Sequence, residues 1–237
     1  MMNIKKVDKY SFLEFKDDKF SLYFSTAENG LNFNINTEEG NDNIRNLKDW
    51  FNVKDVGYLK QTHSDIILNY DSDKELLEGD ALITDKDNTL VGVFTADCVP
   101  VLLYDKSKNV MAAVHSGWKG TSDMIVKKTI IKMKQEFLST ASDITVYIGP
   151  HNKACCYEFG EEALSEFEGS GIYDISEIYK DGKLDLEKCI VKQCKSENVN
   201  NIKCLNICTN CSKEYKMFSY RRDGKSAGRM FSFIIKK

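Results

Sequence analysis

Short apolar runs broken by polar turns fill most of the chain, and their spacing differs from segment to segment. Residues 10–24 alternate loosely around the polar "KDDK" and end in "LYFST", which predicts a hairpin. Residues 29–45, rich in Asn and Gly, read as loop, and "RNLKDWFNV" as a short helix. "GYLKQTHSDIIL" reads as two strands with a break at His63. In the centre, "LVGVF" (90–94), "VPVLLY" (99–104) and "VMAAV" (110–114) fit buried strands, with "DKSKN" as a turn. "SGWKGTSD" then introduces a helix that Thr121 or Ser122 can cap. Val126, Ile130, Met133 and Phe137 recur along it at helical spacing and give it one apolar face. "DITVYIGP" reads as another strand, and "EEALSEF" and "LEKCIVKQCKSENV" as helices. Leu186, Ile190 and Cys194 stack on the second of these, and "MFSFII" (230–235) closes the pattern as a strand. Strands hold most core positions, and tight turns join some of them. That favours an α+β layered sandwich over a strictly alternating doubly wound sheet.

Only two prolines occur among 237 residues, and no low-complexity linker divides them. A single domain spanning residues 1–237 is therefore expected, long enough to bury a substantial core. Lys and Arg number 33 against 36 Asp and Glu, a net charge of -3, which gives no electrostatic reason to expect nucleic acid as a partner. No apolar run approaches the roughly 18 residues of a membrane span. Residues 1–19 are polar and lack the apolar stretch of a signal peptide. The expectation is a cytoplasmic chain with no membrane partner, monomeric by default. In that compartment thiols stay reduced, so the eight cysteines need individual explanations rather than four disulfides.

The chain has three histidines, His63, His115 and His151. His115 directly follows an apolar strand, His63 sits at a strand break, and Cys98 in "FTADCVPV" separates two strands. Strand ends are where a rigid sheet can present side chains to a pocket. Imidazole nitrogen and thiolate sulfur are zinc ligands, and three protein ligands leave a fourth position for a reactant. His63, Cys98 and His115 are therefore candidate metal ligands, although their separations of 35 and 17 residues match no short motif. The same residues admit a second chemistry. Cys98 can be a nucleophile that His115, as base, keeps as thiolate, with Asp97 orienting the base or binding substrate. They also admit none, with Cys98 a small buried hydrophobe and the histidines satisfied polar groups.

The remaining signals are weaker. Cys208 and Cys211 form a lone C-x-x-C, which reads as structural or as chance. Adjacent Cys155 and Cys156 are badly placed to chelate one ion, Cys189 and Cys194 read as helix thiols, and His151 as an exposed loop residue. In "FSYRRDGKSAGR", Arg221, Arg222, Lys225 and Arg229 crowd around two glycines. Guanidinium forks bind phosphate or carboxylate in bidentate fashion, but a solvent-facing charged turn explains the cluster equally well. Lys119, near a helix start beside His115, is a further candidate for an anion.

Taken in order, "KQTHSD", "GDALIT", "TADCVPVLLYD", "AAVHSGWKGT", "IGP…CCYEFG" and "FSYRRDGKSAGR" resemble the YfiH family, also called the laccase-domain, polyphenol oxidase or peptidoglycan editing factor family. The resemblance runs from about Phe24 to the C-terminus. It implies a four-layer α/β/β/α fold with mixed sheets, and one metal held by His63, Cys98 and His115. It also implies phosphorolysis of adenosine, inosine, guanosine and methylthioadenosine, with deamination of adenosine; hydrolysis of peptidoglycan precursors is attributed to some members. On that reading the partners are a nucleoside and phosphate, and the cofactor is zinc, with copper an alternative. Lys119, Arg222 and Arg229 are then candidates for phosphate, and Asp97, Cys98 and His115 for catalysis, with Asp97 as a proton donor. Two positions depart from the family: Ala27 stands where an Arg is common after "FST", and His151 where a Cys is common after "IGP". Three histidines are far too few for the imidazole-rich centres of a multicopper oxidase, whatever the historical name.

Overall fold

In the computed structural model, which describes residues 1–71 and 76–237, period-2 alternation decides which side of each strand meets which layer. Strands β1 (Asn3–Val7), β2 (Tyr10–Lys16), β3 (Phe20–Ser25), β4 (Asp55–Gly57), β7 (Thr89–Thr95) and β14 (Met230–Lys236) form one six-stranded sheet, ordered β1-β2-β3-β14-β7-β4. Strands β5 (Ile67–Asn69), β6 (Ala81–Thr84), β8 (Val99–Asp105), β9 (Val110–Ser116), β10 (Ile144–Ile148) and β13 (Asn201–Cys204) form the other, ordered β13-β10-β8-β9-β6-β5. Both sheets are mixed, since β4–β7, β5–β6 and β10–β13 are parallel pairs among antiparallel ones. A two-stranded ribbon, β11 (Tyr179–Lys180) with β12 (Lys183–Leu184), lies apart from them.

Alternate residues build three apolar layers. Leu82, Leu102, Met111 and Ala113 of the second sheet meet Leu13, Leu22, Phe24, Val91 and Val93 of the first, so the two sheets pack face to face. The opposite phase, Ala81, Ile83, Val101, Leu103, Ala112 and Val114, packs under helices α3 (Ile125–Phe137) and α6 (Leu186–Ser196) through Val126, Ile130, Met133 and Ile190. On the outer face of the first sheet, Phe12, Tyr23, Phe231 and Phe233 lie against Ile44, Leu47 and Phe51 of helix α1 (Glu38–Phe51). The stack is α/β/β/α. The central strands, buried on both faces, are apolar almost throughout for that reason.

Two local expectations change. Helix α1 begins at Glu38, inside the segment read as loop, because the Thr37 hydroxyl accepts from the Gly40 N–H and caps it. After β9, Thr121 and Ser122 cap nothing. They lie inside a short helix α2 (Trp118–Ser122), where Thr121 Oγ1 donates back to the Gly117 carbonyl at 2.8 Å. Helix α3 starts separately after Met124, whose φ is 61°. Three more short helices, α4 (Ser165–Glu168), α5 (Ile175–Ile178) and α7 (Tyr220–Asp223), border the loops. Among the described residues no helix is long and apolar enough to cross a membrane.

Candidate metal and nucleoside site

The chain leaves the first sheet at the end of β7 and enters the second at β8, and Asp97 and Cys98 occupy the crossing. The turn is sharp enough that Asp97 has φ 89°, a strained value for a non-glycine residue. His115 arrives from the end of β9, which pairs with β8. His63 comes from the loop between β4 and β5 and also has a positive φ, 59°. The side-chain donor atoms of His63, Cys98 and His115 all fall within 4.8 Å of one another. Cys98 Sγ lies 3.8 Å from His63 Nε2, and the two imidazoles meet edge to face at 4.9 Å between centroids. Gly117 closes the back of the trio. A Cβ there would stand 3.0 Å from His63 Cδ2 and 3.1 Å from Cys98 Sγ, closer than ordinary packing.

Asp80 organises the trio. It is buried, immediately before β6, and its Oδ1 pairs with His115 Nδ1 at 2.7 Å. That bond places the Nδ1 proton toward Asp80 and leaves Nε2 for the site, the usual arrangement behind a metal-ligating imidazole. The same carboxylate accepts from the backbone N–H groups of Thr62, His63 and Ser64 and from the Ser64 hydroxyl, so it also sets the loop that carries His63. Burial opposes its ionisation, but the His115 and Ser64 hydrogen bonds hold it well below the usual carboxylate range. The orienting carboxylate is therefore Asp80 rather than Asp97. The sequence signal for it was a single acidic residue at the head of the apolar strand in "GDALIT".

The trio is electrostatically coupled. Burial opposes the Cys98 thiolate, yet the adjacent His115 and His63 bring the thiol down to about 6. Burial likewise opposes the His115 cation, while the Cys98 thiolate and Asp80 raise it to about 9. Two nitrogens and one sulfur, close together and preorganised, suit zinc or copper, and so fit a single ion with an open position.

These groups line a cavity of about 550 Å³, a size typical of small-molecule sites. Phe33, Ile35, Leu59, Phe94, Tyr157 and Tyr220 give it apolar and aromatic walls, and Arg221 and Arg229 give it cations. Arg229 also donates to the Ala227 and Gly228 carbonyls. The Arg221 guanidinium lies 5.4 Å over the Tyr157 ring and donates to the Glu158 carbonyl.

Two expected phosphate residues are placed elsewhere. Arg222 does not line the cavity. Its guanidinium donates to the carbonyls of Thr209, Asn210 and Met217 and to Asp223, so it ties loops together. Lys119 is also outside the lining, with its ammonium 5.5 Å over the Trp118 ring. Asp97 does line the cavity, but Oδ1 accepts from Thr209 Oγ1 and Oδ2 from the Arg221 N–H, both at 2.6 Å. With both oxygens occupied as acceptors, Asp97 is placed as an anchor of the rim rather than as a proton donor. Ala27, at the position of the family's Arg, is buried. His151 is buried too, contrary to its reading as an exposed loop residue. Its Nδ1 bonds to the Gly149 carbonyl, and it bridges to Cys208.

The family described as "Multi-copper polyphenol oxidoreductase laccase" matches residues 20–237. A relative named purine nucleoside phosphorylase, from Aquifex aeolicus, is 37% identical over 216 residues, covering 90% of this chain and 96% of its own. A protein named adenosine deaminase RL5, from an unknown prokaryotic organism, is 30% identical over 203 residues, covering 78% of this chain and 76% of its own. Among solved structures, the Bacillus licheniformis hypothetical protein YfiH superposes with a TM-score of 0.88 at 26% identity, covering 98% of each chain.

Proposed function

The chain belongs to this laccase-named, YfiH-like family, and from that premise we propose that it is a purine nucleoside phosphorylase that also deaminates adenosine, with zinc held by His63, Cys98 and His115. The observation that carries the reading is the convergence of those three donors within 4.8 Å at a cavity that also presents aromatic rings and two guanidinium groups. When bound, the ion supplies Lewis acidity toward a purine heteroatom and lowers the pKa of water at its open position.

The other steps fall to the protein. Tyr157, Tyr220 and the Phe33–Phe94 side offer flat apolar surface for a purine. Arg221 and Arg229 hold phosphate through their forks. In phosphorolysis a phosphate oxygen bonds to C1′ of the ribose while the bond from C1′ to the base breaks, and the base leaves with the electron pair. Orientation of phosphate against C1′ is then the main protein contribution. Asp80 fixes His115, and Asp97 fixes the Arg221 end of the rim through the Arg221 N–H. Relatives named purine nucleoside phosphorylase and adenosine deaminase support nucleoside chemistry, and the three-histidine count speaks against the multicopper oxidation in the family's description.

The test is product analysis with adenosine, with and without inorganic phosphate. Ribose 1-phosphate plus adenine supports phosphorolysis, and inosine without phosphate supports deamination. Absence of both, with cleavage of a muramyl peptide, would instead support a metal-dependent amidohydrolase acting on peptidoglycan precursors. One observation favours a further reading. The lowered Cys98 thiol beside two imidazoles is the setting of a cysteine nucleophile. That reading requires full activity in chelator-treated protein and labelling of Cys98 by an electrophile during turnover.

A further inference from the structure

A second group of ligand-type side chains lies outside the cavity. The Sγ atoms of Cys155, Cys156, Cys208 and Cys211 all fall within 4.8 Å of one another. In sequence, the C-x-x-C of Cys208 and Cys211 and the adjacent Cys155 and Cys156 show no link to each other. The fold joins them because β10 and β13 are parallel neighbours, with Ile148 opposite Cys204, so the loops that follow both strands leave from the same end of the sheet. The pairing continues past the strands. His151 bridges to Cys208, the His151 N–H donates to the Ile207 carbonyl, and the Thr209 N–H donates to the His151 carbonyl at 2.9 Å. A turn on Lys153, whose carbonyl accepts from both the Cys156 and Tyr157 N–H groups, curls the first loop. That turn brings the adjacent Cys155 and Cys156 sulfurs close to the other two, an arrangement that adjacency alone makes awkward.

We propose that Cys155, Cys156, Cys208 and Cys211 form a second metal site, a closed tetrathiolate for one zinc ion with a structural role. The spacing fits. With zinc–sulfur bonds of about 2.3 Å, the edge of a tetrahedron of sulfurs is about 3.8 Å. Cys155 and Cys211 Sγ lie 3.6 Å apart. None of the eight cysteines is in a disulfide, and a disulfide would use only two of the four convergent sulfurs. Backbone N–H groups of Lys153, Asn210 and Cys211 are directed at the Cys208 sulfur. Four protein ligands leave no open position, which separates this site from the three-ligand site in the cavity.

The position gives the ion a task. Thr209, between the two cysteines of the turn, donates its hydroxyl to Asp97, next to Cys98. Arg222 donates to the Thr209 and Asn210 carbonyls and so fastens the Arg221 helix to the same turn. The tetrathiolate therefore clamps two loops behind one wall of the cavity.

The experiment counts zinc by elemental analysis in full-length protein purified under reducing conditions. Wild type should carry two zinc ions per chain, Cys98→Ala one, and Cys211→Ser one. Titrating the Cys98→Ala protein with a mercurial should release its zinc as four thiols react, a readout that needs no folded Cys211→Ser variant. Cobalt substituted into Cys98→Ala should show the strong sulfur-to-metal charge-transfer absorption of four thiolates. One zinc in wild type with none in Cys98→Ala overturns the proposal, as do two in Cys211→Ser. A Cys155–Cys211 disulfide in the reduced, zinc-supplied protein overturns it as well. The count is independent of nucleoside turnover, so failure of the phosphorylase reading leaves this test unchanged.

Discussion

The cavity trio and the four-cysteine cluster solve the same assembly problem differently. The trio gathers His63, Cys98 and His115 from two sheets and a loop, and a buried carboxylate behind it, Asp80, orients one ligand and the loop of another. The cluster draws its sulfurs from two loops that leave neighbouring parallel strands, and its support is backbone N–H groups. The trio faces a cavity of about 550 Å³ and has room for a reactant; the cluster has a full set of four donors. On the roles proposed above, ligand number and access, more than ligand identity, would divide chemistry from scaffolding.

The contrast breaks most sharply at the cavity ligands. His115→Ala should cut nucleoside turnover by about 100- to 1,000-fold, the scale of losing one transition-state stabiliser, and should remove the cavity metal while sparing the four-cysteine site. Steady-state kinetics beside elemental analysis checks this. Next in size, Asp80→Asn should weaken cavity metal binding by about 10- to 100-fold, since it loosens an orienting partner while leaving all three ligands in place. Competition with a chromogenic chelator measures the loss, and unchanged affinity would reject the role given to Asp80.

The trio should also respond to pH in a way that can be read by sign. His115, raised to about 9, must release its proton before Nε2 can bind a metal, whereas Cys98, lowered to about 6, is already thiolate above that value. Metal affinity should therefore rise with pH between about 6 and about 9, about tenfold per unit for the proton His115 must release. It should rise more steeply below 6, where the Cys98 proton competes as well, and level off above 9. Calorimetry in buffers of different ionisation enthalpy counts the protons. The smallest effects should come from the cations. Arg221→Ala should raise the KM for phosphate several-fold, while Lys119→Ala and wild type should be indistinguishable, because Arg221 lines the cavity and Lys119 does not.

Sequence by itself determined the layered α+β character, because period-2 alternation and doubly buried strands follow directly from residue order. It also singled out His63, Cys98 and His115 as candidates, because each stands at a predicted strand end or break. The family motifs named the four-layer stack. Tertiary structure alone decided the partners. Asp80 orients His115 from 35 residues away, Asp97 is held by Thr209 and Arg221, and Arg222 turns from the cavity to tie loops. Two cysteine pairs with no link in sequence converge because β10 and β13 run side by side in the same direction. Such contacts depend on strand order and on which way a loop curls. Those are set by packing across the whole chain, and a local run of residues carries little record of them.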